Sequence, residues 1–123
     1  MPAVRYLVDD VDRAVTFYTG KLGFSLTERW GKAIAMVARD GVTLWLSGPE
    51  SSAARPMPDG RKPAPGGWNR VVVEVTDLES LVGAMKRDGV AFRNEIVTGP
   101  GGKQILAEDG CGNVVELFEP ARA

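Results

Sequence analysis

The sequence predicts an α+β fold built from two copies of one βαβββ module. The run Val71–Val75 is rich in β-branched valine, which suits a strand, and Asp77 follows it as a potential helix N-cap. The same order, an apolar strand over Val4–Val8 and then the potential cap Asp10, occurs once earlier in the chain. Because such self-similarity indicates repeated structural units, we expect two related halves.

The first module is predicted over residues 1–47, beginning with a strand at residues 3–9 and a helix at residues 10–22. The helix ends at Gly23, and its apolar stripe comprises Ala14, Phe17, Tyr18 and Leu22. Asp40-Gly41 is a hairpin signal between the last two strands. The three strands that complete the module are predicted at residues 24–30, 33–38 and 42–47.

A segment rich in Pro, Gly and Ser, residues 48–67, is predicted to be either an idle linker or a lid. The second module, residues 68–123, repeats the order of the first, and its helix is predicted to end at Gly89. Its elements are predicted as a strand at 69–75, a helix at 77–88 and strands at 90–97, 103–109 and 114–118. The whole chain of 123 residues is therefore expected to be one domain.

Composition excludes several classes of function. The net charge is −1 with charges of both signs, which argues against nucleic-acid binding. No run approaches the roughly 20 apolar residues of a membrane span, and we expect no signal peptide. A single cysteine, Cys111, is consistent with the cytoplasm, and it is either an incidental turn residue or a reactive thiol.

The chain contains no histidine. Histidine is the commonest metal ligand and the usual general base near neutral pH, so its absence excludes His-assisted serine or cysteine catalysis. A zinc site would need carboxylates and one cysteine, which is an unusual set.

Strand alternation separates an apolar side, expected beneath the helices, from a side that mixes aromatic and charged residues. Such a mixed side is either an exposed surface or the lining of a cleft. It is predicted to carry Arg5, Trp45, Arg70, Glu74, Glu116 and Phe118.

Two stretches resemble a known family. Residues Val8–Tyr18, followed by Lys21-Leu22-Gly23-Phe24, resemble the opening of vicinal oxygen chelate (VOC) proteins, which include glyoxalase I, bleomycin-resistance proteins and extradiol dioxygenases. Glu108–Leu117 resembles the closing stretch of the family, with Gly110 and Cys111 where proline and a variable residue usually stand. The resemblance implies paired, curved mixed sheets that form a cleft, and a homodimer. It specifies the fold but not the function, because the family hosts many activities.

The resemblance also implies where metal ligands would lie. The four ligand positions of metal-dependent members fall on Ala3, Trp45, Arg70 and Glu116, and only Glu116 has a side chain that can bind a metal. We therefore expect no metal and no cofactor, which argues against glyoxalase and dioxygenase chemistry. An Arg70–Glu116 ion pair is predicted in place of the metal, with the guanidinium near the Trp45 ring.

Two interpretations of these positions remain. The ion pair and ring either fill a disused metal site or help to bind a ligand, for which the predicted residues are Arg5, Trp30, Trp45, Arg70, Glu74, Glu116 and Phe118. Trp30 and Trp68 belong either to the rim of that site or to core or dimer contacts.

The sequence favours a metal-independent protein of the bleomycin-resistance type that sequesters an aromatic or hydrophobic compound, such as an antibiotic. The alternative is a VOC-fold enzyme (a lyase, isomerase or dioxygenase-like protein) with a carboxylate base and no standard metal site. Glu74 is the candidate for that base, although the missing ligands weigh against catalysis. A third possibility is a structural or regulatory dimer without a ligand.

Overall fold

A computed structural model describes residues 2–121, and in it the chain divides into two units. The first unit contains the chain up to Gly66 together with Cys111–Asn113. The second contains Gly67–Gly110 and the chain from Val114 onwards. Each unit has a mixed four-stranded sheet and one α-helix, so the α+β class and the two βαβββ modules are confirmed.

The sheet of the first unit has the strand order β1-β4-β3-β2. Strand β1 runs parallel to β4, and the other neighbours are antiparallel. The elements follow the predicted order, and β4 has the bounds that were predicted for it. They are β1 Val4–Leu7, α1 Val11–Gly20, β2 Ser25–Trp30, β3 Ile34–Arg39 and β4 Val42–Ser47.

Helix α1 covers one face of this sheet. The carboxylate of Asp10 caps the helix by accepting a hydrogen bond from the Arg13 backbone N–H at 3.1 Å. Tyr18, in the apolar stripe of the helix, is fully buried and makes edge-on ring contacts with Tyr6, Phe17 and Phe24. The sheet residues of this core are Tyr6, Ala35, Val37, Leu44 and Leu46.

The segment after β4 contains a single 3-10 turn, Ser52–Ala54, and its end is fixed by the turn Cys111–Asn113. The Asn113 side chain accepts from the Gly66 N–H at 3.0 Å and donates to the Leu7 carbonyl at 2.6 Å. Cys111 is a buried turn residue whose Sγ lies 3.5 Å from the Asp10 carbonyl oxygen. The closing stretch thus holds the end of β1 and the end of the segment together.

The sheet of the second unit has the order β5-β8-β7-β6, again with its first strand parallel to its last. One face packs beneath the helix through Val73, Ile105, Val115 and Leu117, which are buried together with Leu78, Val82 and Met85. The elements are β5 Val72–Glu74, α2 Leu78–Arg87, β6 Val97–Gly99, β7 Gly102–Glu108 and β8 Val114–Pro120. No helix within residues 2–121 is long and apolar enough to cross a membrane.

The prediction of a strand at residues 90–97 is wrong. This segment makes one isolated bridge, between Phe92 and Ala107, and β6 begins only at Val97. The Asn94 side chain accepts the Leu106 N–H at 3.0 Å, and that hydrogen bond replaces a backbone ladder bond. The first strand of the module is also shorter than predicted, at three residues.

Candidate functional site

The face of the first sheet that points away from α1 carries Arg5 and Trp45, two of the residues predicted on the mixed side of the strands. Arg5 pairs in register with Trp45, Trp45 with Met36, and Met36 with Glu28. Residues in register share a side of the sheet, so these four form one row across it. We call this side the first-sheet face.

Arg5 and Trp45 are in direct contact on the first-sheet face. The Arg5 guanidinium carbon lies 5.0 Å from the centroid of the Trp45 ring. Arg5 Nη1 donates to the Ser47 hydroxyl at 3.1 Å, and that hydroxyl donates to the Trp45 carbonyl at 3.1 Å. Because Ser47 is fully buried, it gives the exposed guanidinium a fixed anchor. A cation–π contact of this kind contributes about 0.5–2 kcal/mol.

Trp30 lies on the same face as Trp45. It pairs with Ile34, which in turn pairs with Ser47, two residues beyond Trp45 on the same strand. Trp30 is 54% exposed, so it does not belong to the core of this unit. The positions of Ile34 and Met36, both half-buried, place apolar side chains on the strand between the two tryptophans.

In the second unit, the predicted ion pair between Arg70 and Glu116 is present. Arg70 Nε and Nη2 both donate to Glu116 Oε1, at 3.0 and 2.8 Å. Arg70 Nη1 also donates to the Trp68 carbonyl at 3.1 Å, which ties the start of the module to the pair. The guanidinium that lies over the Trp45 ring is that of Arg5. The expectation that the Arg70 guanidinium also lies near that ring remains a prediction.

The two carboxylate oxygens of Glu116 differ in their hydrogen bonding. Oε1 takes both Arg70 bonds, whereas Oε2 accepts no hydrogen bond from any of residues 2–121. Glu116 is only 8% exposed, yet no buried side-chain oxygen in the same residues lacks a partner. Oε2 therefore keeps some contact with solvent. Its neighbours in register are the apolar side chains of Val72 and Leu106.

Glu74 and Phe118 lie in register with each other, two residues along from Val72 and Glu116. They therefore share the side of the second sheet that carries Glu116. Phe118 is half-buried, as a ring lining a site would be, and Glu74 is exposed. The exposure of Glu74 gives it none of the burial that a carboxylate base requires.

Sequence reasoning missed a second arginine cluster near the start of this unit. The Arg93 guanidinium carbon lies 4.7 Å from the centroid of the Trp68 ring. Arg93 also donates to Glu108 Oε1 at 2.5 Å and to the Gly67 carbonyl at 2.9 Å. Its side chain thus fixes residues 67 and 68. Arg93 was missed because the sequence predicted a strand at residues 90–97. Strand alternation indicates which side of a sheet a residue faces, but not whether its side chain binds a backbone carbonyl.

Ala3, Trp45 and Arg70 stand at three of the four positions where the family resemblance places metal ligands. Alanine and tryptophan carry no metal-binding group, and arginine is a permanent cation without an acceptor. Within residues 2–121, no three Cys, Asp or Glu residues are grouped so that they could hold a metal ion.

The sequence profile of the Glyoxalase/Bleomycin resistance protein/Dioxygenase superfamily matches residues 1–117. The chain belongs to this superfamily. This superfamily member is 29% identical over 119 residues to YurT of Bacillus subtilis (strain 168), covering 91% of the chain and 92% of YurT.

Solved structures of the superfamily share the fold. TnmS3, an antibiotic binding protein from Streptomyces sp. CB03234, aligns with a TM-score of 0.68 and 23% identity over 98% of this chain and 97% of its own. A lactoylglutathione lyase from Agrobacterium tumefaciens aligns with a TM-score of 0.72 and 18% identity, over 97% and 92% of the two chains. A binding protein and an enzyme are thus both similar to this chain, and these likenesses establish its fold alone.

Proposed function

We propose that this superfamily member is a metal-independent binding protein that sequesters a flat aromatic or hydrophobic small molecule, such as an antibiotic. The observation that carries the proposal is the Arg5–Trp45 stack on the first-sheet face. There, the buried Ser47 hydroxyl holds the guanidinium in place over the ring. A pre-ordered aromatic group loses little conformational entropy when a ligand stacks against it.

The surroundings of the stack suit such a ligand. Trp30 adds a second exposed indole to the same face, and Ile34 and Met36 supply apolar surface on the strand between. Ligand sites combine a mostly apolar and aromatic lining with a few placed polar groups. Arg5 and Glu28 are both charged residues of this face, and Arg5, which stacks on Trp45, is the one that we propose binds the ligand. In the second unit we propose Arg70, Glu74, Glu116 and Phe118 as ligand-binding residues.

The alternative function is catalysis with Glu74 as the base. Glu74 is exposed in β5, whereas a catalytic carboxylate is normally tuned by burial. The neighbouring carboxylate, Glu116, is already engaged by Arg70. These two observations favour binding over catalysis. We further propose that the protein acts as a homodimer, as the family resemblance implies, and that it works in the cytoplasm, with which its single cysteine is consistent.

A calorimetric and thermal-shift screen of the purified protein tests the proposal. The panel holds flat polycyclic compounds, antibiotics and divalent metal ions, since any compound that binds only the folded state raises the melting temperature. We expect saturable shifts with aromatic compounds, and we expect Trp45→Ala to weaken their binding about tenfold or more while the protein stays folded.

Leu26→Ala is the matched control, because Leu26 is an exposed apolar residue of the same sheet that pairs with the core residue Val37 on the helix side. It should leave binding unchanged. Saturable stabilisation by a divalent metal ion alone would overturn the proposal in favour of metal-dependent chemistry. Turnover that disappears in Glu74→Gln would favour the carboxylate-base enzyme instead.

A further inference from the structure

We infer that Glu116 Oε2 accepts a hydrogen bond from an uncharged donor group of the ligand, such as a phenolic O–H or a ring N–H. This inference rests on the proposed function and specifies the chemistry of its ligand. It follows from the difference between the two oxygens of one carboxylate that is 8% exposed.

Arg70 commits Oε1 and leaves Oε2 available. Two guanidinium N–H groups converge on Oε1 at 3.0 and 2.8 Å, and a third donates to the Trp68 carbonyl. These bonds fix the orientation of the carboxylate and leave Oε2 in contact with solvent and without a hydrogen-bond partner among residues 2–121. Arg70 is therefore a positioning residue for the acceptor.

The surroundings of Oε2 determine what it can bind. A carboxylate oxygen only accepts hydrogen bonds, so the ligand must supply the donor. Val72 and Leu106 flank Glu116 in register and are apolar, and Glu74, the next residue of β5 on this side, is exposed so that water screens its charge. Arg70 already balances the charge of Glu116, and an ammonium group beside it would be desolvated next to a like charge. A neutral donor is neither repelled by Arg70 nor required to lose the hydration of a charge.

The test compares compounds that differ only in the donor. Isothermal titration calorimetry of the full chain would measure 2-naphthol against 2-methoxynaphthalene and carbazole against N-methylcarbazole. A hydrogen bond to a charged acceptor corresponds to a preference of about 10- to 100-fold for 2-naphthol and carbazole.

Glu116→Gln is the variant that probes the acceptor. Arg70 would hold the amide oxygen, and the amide NH₂, which is a donor, would then occupy the position of Oε2. The preference for the donor compounds should therefore disappear. Glu95→Gln makes the same chemical change at a side chain that is 90% exposed, and it should keep the preference.

Arg70→Met supplies a second readout if Glu116→Gln does not fold. It keeps the acceptor and removes its counterion, so the binding of 1-naphthylmethylammonium should improve about tenfold. Equal affinity for both members of every pair in the wild type would overturn this inference and leave the proposed function standing. Absence of binding by all four neutral compounds would overturn both. A preference that survives Glu116→Gln would place the acceptor elsewhere and overturn the inference alone.

Discussion

Trp45 and Glu116 occupy the same position in the two βαβββ modules. Trp45 pairs with Arg5, five residues before the N-cap Asp10, and Glu116 pairs with Val72, five residues before the N-cap Asp77. One position of the repeat thus carries an aromatic ring in the first module and a carboxylate in the second.

Each module holds this position with an arginine, but from a different place on its first strand. Arg5 lies directly across from Trp45, whereas Arg70 lies two residues before Val72, the residue across from Glu116. The first arginine stacks on a ring and the second pairs with a carboxylate. The two modules therefore share one fold but differ in the chemistry of this position.

Removing the arginine of the second module should destabilise the protein. Arg70→Met leaves the mostly buried Glu116 carboxylate without its counterion, and the side chains of the pair are 25% and 11% exposed. Breaking a fully buried pair costs more than this partly solvated one, for which we expect a loss of about 2 kcal/mol in unfolding free energy. Urea denaturation measures it.

Arg61→Met is the control for that variant. Arg61 pairs with Asp59 at 2.8 Å, but its side chain is 84% exposed, so the change should stay within about 0.5 kcal/mol. Equal losses in the two variants would contradict the structural role that we assign to Arg70.

The turn in the closing stretch should also be important for stability. Asn113 holds the Leu7 carbonyl at 2.6 Å and the Gly66 N–H at 3.0 Å, and Asn113→Ala removes both partners at once. Because two backbone groups lose their hydrogen bonds, we expect a loss of about 2–3 kcal/mol in urea denaturation.

Asn69→Ala provides the comparison, since Asn69 is an exposed asparagine elsewhere in the chain. Its effect should remain within about 0.5 kcal/mol. A neutral Asn113→Ala would mean that the turn is not what secures the end of β1.

Sequence patterns predicted most of the fold because its signals are local. The valine-rich strands, the caps Asp10 and Asp77 and the Asp40-Gly41 turn each depend on a few neighbouring residues. All of them are present, although β5 is shorter than predicted. The prediction of a strand at residues 90–97 was wrong. Within this segment, the Arg93 side chain binds the Gly67 carbonyl and the Asn94 side chain accepts the Leu106 N–H.

The site was predicted only in part, for a related reason. Family positions indicated the Arg70–Glu116 pair, but no sequence pattern indicated that Arg5 would stack on Trp45. That contact depends on the buried hydroxyl of Ser47, two residues away along β4. The solvent contact of Glu116 Oε2 likewise depends on packing and hydrogen-bond geometry, which composition does not determine.

The turn between β6 and β7 should require glycine at one position and not at its neighbour. Gly102 has φ +143°, and a Cβ there would lie 2.1 Å from the Glu119 carbonyl oxygen. Gly102→Ala should therefore cost about 3 kcal/mol or more, through strain and a clash with backbone. At Gly101 a Cβ meets nothing within 4 Å, so Gly101→Ala should stay within about 1 kcal/mol. Similar melting temperatures for the two variants would refute this distinction.

The N-cap of α2 should make stability depend on acidic pH. The Ser80 hydroxyl and the Ser80 backbone N–H both donate to the Asp77 carboxylate, and these hydrogen bonds hold its pKa below the ordinary value of 3.8. The unfolded chain therefore takes up this proton first as the pH falls. The contribution of Asp77 is complete above pH 3.8 and is lost as the pH drops through the lower pKa of the folded state.

The difference in unfolding free energy between the wild type and Asp77→Ala should accordingly be constant near neutral pH and shrink below pH 3.8. Urea denaturation over a pH series measures this difference, and NMR titration of the Asp77 carboxyl carbon measures the pKa directly. Ser80→Ala removes the hydroxyl that lowers the pKa most, so the pKa of Asp77 should rise towards its ordinary value in that variant. A difference between wild type and Asp77→Ala that is the same at every pH would show that capping does not depend on the charge of Asp77.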